Sequence, residues 1–313
     1  MDIYTLNNNS LKSLDRLSFK SEKEIQSIIE NNSEELFELK FIKSEMVCND
    51  FRFDTLCFDE ENNSFVIIEY KNTKSSSIID QGYSYLATML NNKSDFILEY
   101  NENMDSNLRR DQLDWSQSRV IFVSPSFTHY QKNSVNFRDV PFELWEIEKY
   151  SNKTIGLQQI ISTSKESIKG LEKGKNDLVS KVSKEVIKYD EVSVVSKYGE
   201  EFLDIYYPLK EKILEWDNTS FNVTKKYVSF IKNKNVIYYM NIRKNEFRVY
   251  FIYRIDFTGN VKSKAIPFKF KDPENIFKLF ENKYKESYYA SYNKKTDLEY
   301  LLYCLKQKYD SMK

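Results

Sequence analysis

Histidine is the scarcest functional residue in this chain: His129 is the only one in 313 residues. That excludes a histidine-rich zinc centre and leaves Ser-His-Asp or Cys-His catalysis without support; a lone histidine reads as structural. Cysteine is almost as rare. Cys48, Cys57 and Cys304 are odd in number and show no CxxC spacing. They fit reduced, buried thiols in a cytoplasmic protein better than disulfides or zinc ligands. No apolar run approaches the ~18 residues that suggest a membrane span. The N-terminus, MDIYTLNNNS, has no basic stretch followed by an apolar core, so no signal peptide is expected. Internal repeats are missing too.

What is present is size, aromatic content and charge. A chain of 313 residues suggests two domains, and 41% hydrophobic with 15% aromatic residues is ample for packed cores. Charge is balanced at 47 basic and 47 acidic residues, but unevenly spread. Residues 196–313 hold 23 Lys and Arg against 15 Asp and Glu, whereas residues 1–195 hold 24 against 32. Such asymmetry is what an anionic partner for one half would favour, although charge also fluctuates along any charged chain. We read a first domain over 1–150, a Lys-, Ser- and Glu-rich helical connector over 151–195, and a second domain over 196–313.

The first domain is organised around RFDTLCFDEENNSFVIIEYK, residues 52–71. Phe51 to Phe58 alternates polar and apolar residues, DEENNS is turn chemistry, and Phe65 to Ile68 is an apolar run ending in Glu69-Tyr70-Lys71. Side chains alternate along a strand, so Glu69 and Lys71 share one face. If Phe58 pairs with Phe65, Asp54 falls opposite Glu69 and Arg52 opposite Lys71. Like charges directly opposed on neighbouring strands are destabilising. A hard divalent cation would reconcile them, because Mg²⁺ takes one or two carboxylates plus waters and substrate phosphates. A Glu-x-Lys triplet by itself is cheap in so charged a chain; Glu38-Leu39-Lys40 is another. The register and the helix that follows, Ile78 to Leu90 with Gln81, Tyr85 and Thr88 on one side, set Glu69-Tyr70-Lys71 apart.

Asp54, Glu69-x-Lys71 and Gln81-x-x-x-Tyr85 together resemble the PD-(D/E)XK nuclease superfamily, over about residues 1–150. The chain is similar in particular to bacterial proteins that join this nuclease-like fold to an uncharacterised C-terminal domain, sometimes labelled predicted transport proteins. No proline precedes Asp54, where Phe53 stands instead. The resemblance implies an α/β domain with a mixed central sheet flanked by helices, as in restriction endonucleases. It also implies Mg²⁺ or Mn²⁺ held by Asp54 and Glu69 with a backbone carbonyl near Tyr70. Lys71 would position or activate the attacking water, and Gln81 would support Lys71 or a phosphate. DNA is the implied substrate, with Tyr85, Arg52 and Lys74 as candidate contacts. Glu24 can point at the metal site in similar nucleases, yet it also fits a capping box with Ser21. An inactive binding or adaptor module with the same fold is the alternative.

Around this centre we expect a helix from Ser33 to Leu39, a cap for the Gln81 helix at Ser75-Ser76-Ser77, a strand from Phe96 to Tyr100, a strand from Arg119 to Val123, a helix from Phe127 to Phe137 and a last strand from Phe142 to Ile147. Arg109, Arg110 and Trp115 read as surface charge and a packed aromatic. The second domain reads as α+β: a helix over Glu200 to Trp216, an antiparallel meander (Lys226 to Ile231, Val236 to Arg243, Phe247 to Asp256), a helix starting at Asp272-Pro273-Glu274, and a final helix over Asp297 to Tyr309. Residues 221–270 carry 11 basic and two acidic residues with Tyr and Phe interleaved. That composition suits phosphate attraction and base stacking, or a homodimer through an aromatic face, or simple strand packing.

Overall fold

The computed structural model describes residues 2–72, 78–137, 139–161, 164, 166–167, 177–233, 235–244, 246–254, 271–282 and 285–312. The chain divides into two units, Met1–Lys188 and Tyr189–Lys313.

Unit 1 begins with a hairpin of β1 (Tyr4–Asn7) and β2 (Ser10–Ser13), then β3 (Arg16–Leu17), α1 (Glu22–Glu30) and α2 (Ser33–Phe37). β4 (Lys40–Cys48), β5 (Phe51–Asp59) and β6 (Ser64–Tyr70) follow, then α3 (Ile78–Asn91) and α4 (Lys93–Met104). β7 (Arg119–Ser124), α5 (His129–Ser134), β8 (Phe142–Tyr150), β9 (Ile155–Ile160) and α6 (Asp177–Glu185) complete it. The sheet order is β3-β8-β7-β6-β5-β4, with β9 also on β8. β4, β5 and β6 form an antiparallel meander, whereas β6, β7 and β8 run parallel. The mixed sheet with flanking helices expected from the sequence is thus present.

Its central strand is β6, and every residue of SFVIIEY is buried. An unbroken apolar run is what a strand covered on both faces requires. One face carries Phe65 and Ile67 into a core shared with α3, α4 and α6; the other carries Val66, Ile68 and Tyr70 against α1 and α2. Gly82 lets α3 lie close to the sheet, since a Cβ there would come within 2.6 Å of the Phe142 ring.

Two expectations need correction here. Phe96 and Tyr100 lie in α4, not in a strand. Four residues apart, they fall on one helical face and pack together on Phe53, Phe58 and Phe65. A five-residue, mostly apolar stretch does not distinguish the two periods. Residues 151–188 are also more than a connector: β9 extends the sheet, and Val182 and Val186 are buried in the core.

Unit 2 opens with α7 (Glu191–Val195) and α8 (Glu201–Leu214). Its antiparallel sheet comprises β10 (Thr219–Val223), β11 (Tyr227–Lys232), β12 (Asn235–Ile242), β13 (Phe247–Arg254), β14 (Phe277–Asn282) and β15 (Lys285–Tyr292), in the order β10-β11-β12-β13-β15-β14. The last helix, α9 (Leu298–Ser311), is capped by the Asp297 carboxylate. Phe202, Tyr206, Leu209 and Ile213 of α8 and Leu301, Leu302 and Leu305 of α9 share one core with alternate residues of the sheet. The meander and both long helices fall where the sequence places them. The helix expected at Asp272-Pro273-Glu274 does not form; a turn leads directly into β14, with the Asp272 carboxylate accepting from Phe277 N at 2.8 Å. An Asp side chain that bonds nearby backbone competes with helix formation. Among the described residues no helix is long and apolar enough to cross a membrane.

Candidate active site

Phe58 pairs with Phe65 and Thr55 with Ile68, the register on which the carboxylate pairing depends. Beyond Thr55–Ile68 the ladder gives way. The Tyr70 N–H, which a regular ladder would direct to a carbonyl, is taken instead by Asp54 Oδ2 at 3.0 Å. Asp54 thereby reaches across to the strand that carries Glu69. Burial raises the Asp54 carboxyl to about 7, and the Glu69 charge adds to the rise; the Tyr70 N–H and the Lys71 ammonium pull the other way.

Glu69 is 4% exposed. Its Oε1 accepts from Lys71 Nζ at 2.7 Å and from Gln81 Nε2 at 2.6 Å. Its Oε2 is buried and has no hydrogen-bond partner. Gln81 also donates to the Tyr85 hydroxyl at 2.8 Å, and that hydroxyl meets the Arg52 carbonyl at 3.4 Å. Burial, then the Glu69 charge, pushes the Tyr85 phenol well up, so it is a neutral donor. One turn of α3 therefore delivers the Gln81 amide to the Glu69 carboxylate and the Tyr85 phenol to Gln81 and the β5 backbone.

The strands kink at this level. The β4–β5 pairing joins Ser44 to Thr55 and Met46 to Phe53, which sets Glu45 beside Asp54. Glu45 adopts a left-handed backbone, φ 55°. That conformation is uncommon for a non-glycine residue and is favoured where the surroundings over-determine it. It resets the alternation on β4: Ser44 meets Gln26 of α1, whereas Met46 belongs to the core under α3 and α4. Glu45 is held ionised, first by its hydrogen bond from Lys23 and with help from Gln26 and Arg52, against the effect of burial.

Helix α1 braces both strands from the far side. Gln26, 4% exposed, donates through Nε2 to the Asp54 carbonyl at 2.9 Å, to Ser44 Oγ at 3.0 Å and to Glu30 Oε1 at 2.8 Å. Glu30 also accepts from Thr55 Oγ1 at 2.7 Å, and Thr55 in turn meets the Tyr70 hydroxyl at 2.9 Å. Glu22 Oε1 accepts from Asn72 N at 2.9 Å, just past Lys71.

Of the residues singled out from sequence, the fold brings Asp54, Glu69, Lys71, Gln81 and Tyr85 together. Arg52 sits at the edge, its side chain 68% exposed and its Nε 2.9 Å from Glu45 Oε2. Glu24 is committed elsewhere: its oxygens accept from Lys20 N at 2.6 Å and from Lys149 Nζ of β8 at 2.5 Å. Ser21 caps α1 through Glu24 N, but Glu24 answers at Lys20 rather than at Ser21, so only half of a capping box forms. Lys74 and the Ser75-Ser76-Ser77 cap lie outside the described residues. Sequence reasoning missed Gln26, Glu22, Glu45 and Lys23. A glutamine beside Ile25 on the apolar stripe of α1 was the available signal for Gln26.

The pair suits a hard cation. Two carboxylates at one level, one with a buried oxygen that nothing satisfies, are an oxygen donor set of the kind Mg²⁺ or Mn²⁺ takes. Among the described residues no cluster of three or more His, Cys, Asp or Glu side chains forms a metal site, so water and substrate oxygens would complete the shell. Several of the remaining expectations have structural explanations, while residues 255–270, including the expected strand end at Asp256, lie outside the described residues. Trp115 packs on Phe65 at 5.4 Å. His129 lies at the start of α5, its Nε2 2.8 Å from the Asn133 amide. In unit 2, Phe230, Tyr238, Phe247 and Phe251 are buried in the core. On the alternate face Tyr250 and Tyr289 lie 5.5 Å apart, with the Arg248 guanidinium 5.0 Å from the Tyr289 ring.

Residues 191–311 match the model of a domain of unknown function, DUF5655. Among solved structures, the chain is similar to a repair endonuclease from Pyrococcus abyssi at 21% identity, over 39% of this chain and 45% of that one, with a TM-score of 0.22. It is similar to EndoMS in a complex with double-stranded DNA at 19% identity, over 42% and 47%, with a TM-score of 0.24. It is also similar to SfsA from Pyrococcus furiosus in complex with Ca²⁺ at 12% identity, over 50% and 75%, with a TM-score of 0.25. The chain spans less than half the length of the first two structures. An uncharacterized protein of Haemophilus influenzae (strain Rd) is 41% identical over 239 residues, 75% of this chain and 78% of that protein. The chain belongs to the same family as this Haemophilus influenzae protein.

Proposed function

We propose that unit 1 is a nuclease-like, metal-dependent phosphodiesterase acting on DNA, with Asp54 and Glu69 as the metal ligands. The observation that carries this reading is the buried, unpartnered Glu69 Oε2, on the strand to which the Asp54 carboxylate reaches through the Tyr70 N–H. A buried acceptor left unmade costs about 1–3 kcal/mol, and more when charged, so it is an arrangement that a ligand would relieve. Mg²⁺ or Mn²⁺, when bound, supplies Lewis-acid polarisation of the phosphate and acidification of the attacking water. Lys71, 2.7 Å from Glu69 Oε1 and only 16% exposed, orients that water or screens the charge that develops on the phosphate. Gln81 holds the Glu69 carboxylate in place and Tyr85 holds Gln81. Unit 2, with its surplus of basic residues and its Tyr–Arg sheet face, helps hold the substrate.

The test is cleavage of plasmid and linear DNA in Mg²⁺ and in Mn²⁺ by the wild-type chain and by Glu69→Ala. Wild type should cut and the variant should not, with both folded by circular dichroism. Equal cutting by the two proteins would refute the assignment.

A further inference from the structure

Resting on that reading, we propose that Lys23, Glu45 and Arg52 form a latched phosphate clamp at the edge of the carboxylate pocket, opened when a DNA backbone phosphate displaces Glu45 from the two cations. Glu45 Oε1 lies 3.1 Å from Lys23 Nζ and its Oε2 lies 2.9 Å from Arg52 Nε. One carboxylate thus holds one cation with each oxygen, as a bridging phosphate would. A phosphodiester offers the same two-oxygen geometry, and Arg and Lys are its usual partners.

Three features argue that this bridge is not there for stability. Its cations are exposed, Lys23 at 64% and Arg52 at 68%, and exposed ion pairs contribute little to folding. Glu45 is held in a left-handed conformation that a regular strand residue would not adopt. And Glu45 adds a third carboxylate at the level of Asp54, whose ionisation it opposes. A polyanion approaching Asp54 and Glu69 would be repelled by them unless cations met it first. Lys23 and Arg52 stand where they can do so, on α1 and β5, the two elements that also frame Asp54. When a phosphate takes both cations, Glu45 is left free to turn to solvent, and the pocket gains two positive contacts beside the reacting phosphate. Sequence placed Arg52 at a nucleic-acid edge; the structure adds Lys23 as its partner and Glu45 as the competitor.

The test measures binding apart from cleavage. A fluorescein-labelled duplex is titrated with the full chain in EDTA, by anisotropy, from 50 to 200 mM KCl. Wild type, Lys23→Gln with Arg52→Gln, and Glu45→Gln are compared, with melting curves confirming that each is folded. The double variant should bind about tenfold more weakly at 0.1 M salt and lose about 0.9 from the slope of log affinity against log salt, for the one phosphate that the two cations share. Glu45→Gln should bind severalfold more tightly than wild type, because the cations are released without being removed. Unchanged affinity and slope in the double variant overturn the clamp, as does weaker binding by Glu45→Gln or no DNA binding by wild type at 50 mM salt. A wild type that binds through these residues yet never cleaves in Mg²⁺ or Mn²⁺ overturns the hydrolytic reading and leaves the clamp standing.

Discussion

Asp54→Asn should stabilise the metal-free protein, and more so as pH rises. The native carboxyl titrates at about 7 against an ordinary value of 3.8. Between those values the native state binds the proton that the unfolded chain releases, so native stability falls as pH rises, by about 1.36 kcal/mol per unit. The loss is complete above pH 7 and absent below 3.8. By pH 5 about 1.6 kcal/mol has been lost, and by pH 8 about 4 kcal/mol. Asparagine keeps an oxygen for the Tyr70 N–H and removes the charge beside Glu69, so it escapes this penalty. The variant's advantage over wild type should therefore grow by about 2–3 kcal/mol between pH 5 and pH 8. Urea unfolding in EDTA at the two pH values, followed by tryptophan fluorescence, measures it. Millimolar Mn²⁺ at pH 8 should recover stability in wild type only, since a bound ligand stabilises the native state. A difference between the two proteins that stays flat with pH, or shrinks toward pH 8, would refute the strained-pair reasoning.

Further outcomes follow from other parts of the fold. Gln26→Ala removes the amide that serves the Asp54 carbonyl, Ser44 and Glu30, and should cost about 1–3 kcal/mol in urea unfolding. Phe96→Ala should cost about 3–5 kcal/mol, because its ring is fully buried against Phe53 and Phe65 in the core under α4; a cost below 1 kcal/mol would mean that α4 does not pack there. The buried Cys57 thiol is pushed up to about 12 and the Cys304 thiol to about 11, in both cases chiefly by burial. A disulfide reagent at pH 8 should therefore leave both unmodified until urea unfolds the chain. Rapid labelling of either in the native protein would contradict the packing described.

Most of the β4–β6 region was legible because its signals are local and redundant. The turn DEENNS fixes which residues pair, that register brings Asp54 to the strand that carries Glu69, and the apolar run Phe65 to Ile68 bounded by a turn fits a covered strand. The helical period put Gln81 and Tyr85 on one side of their helix, and the resemblance to the nuclease superfamily singled them out. Three things were not legible. Phe96 and Tyr100 satisfy a strand and a helix equally over five residues, and only the tertiary partners decide. Val182 and Val186 sit in a Lys- and Ser-rich stretch whose average composition hides two core residues. And the kink at Glu45 has no sequence signal: nothing in KSEM announces a left-handed residue, because the conformation is imposed by the core claiming Met46 while α1 claims Ser44. The partners of Glu24 were hidden for a related reason. Two carboxylates, Glu22 and Glu24, stand in the first turn of α1, and Lys149, 125 residues away in sequence, engages Glu24.

Titration calorimetry of Mn²⁺ into the metal-free chain at pH 7.5 addresses the carboxylate pair most directly. One site per chain is expected in wild type, lost in Glu69→Gln and in Asp54→Asn and retained in Glu24→Gln. Equal Mn²⁺ binding by all four proteins, or none by wild type at millimolar metal, would show that Asp54 and Glu69 do not hold a cation.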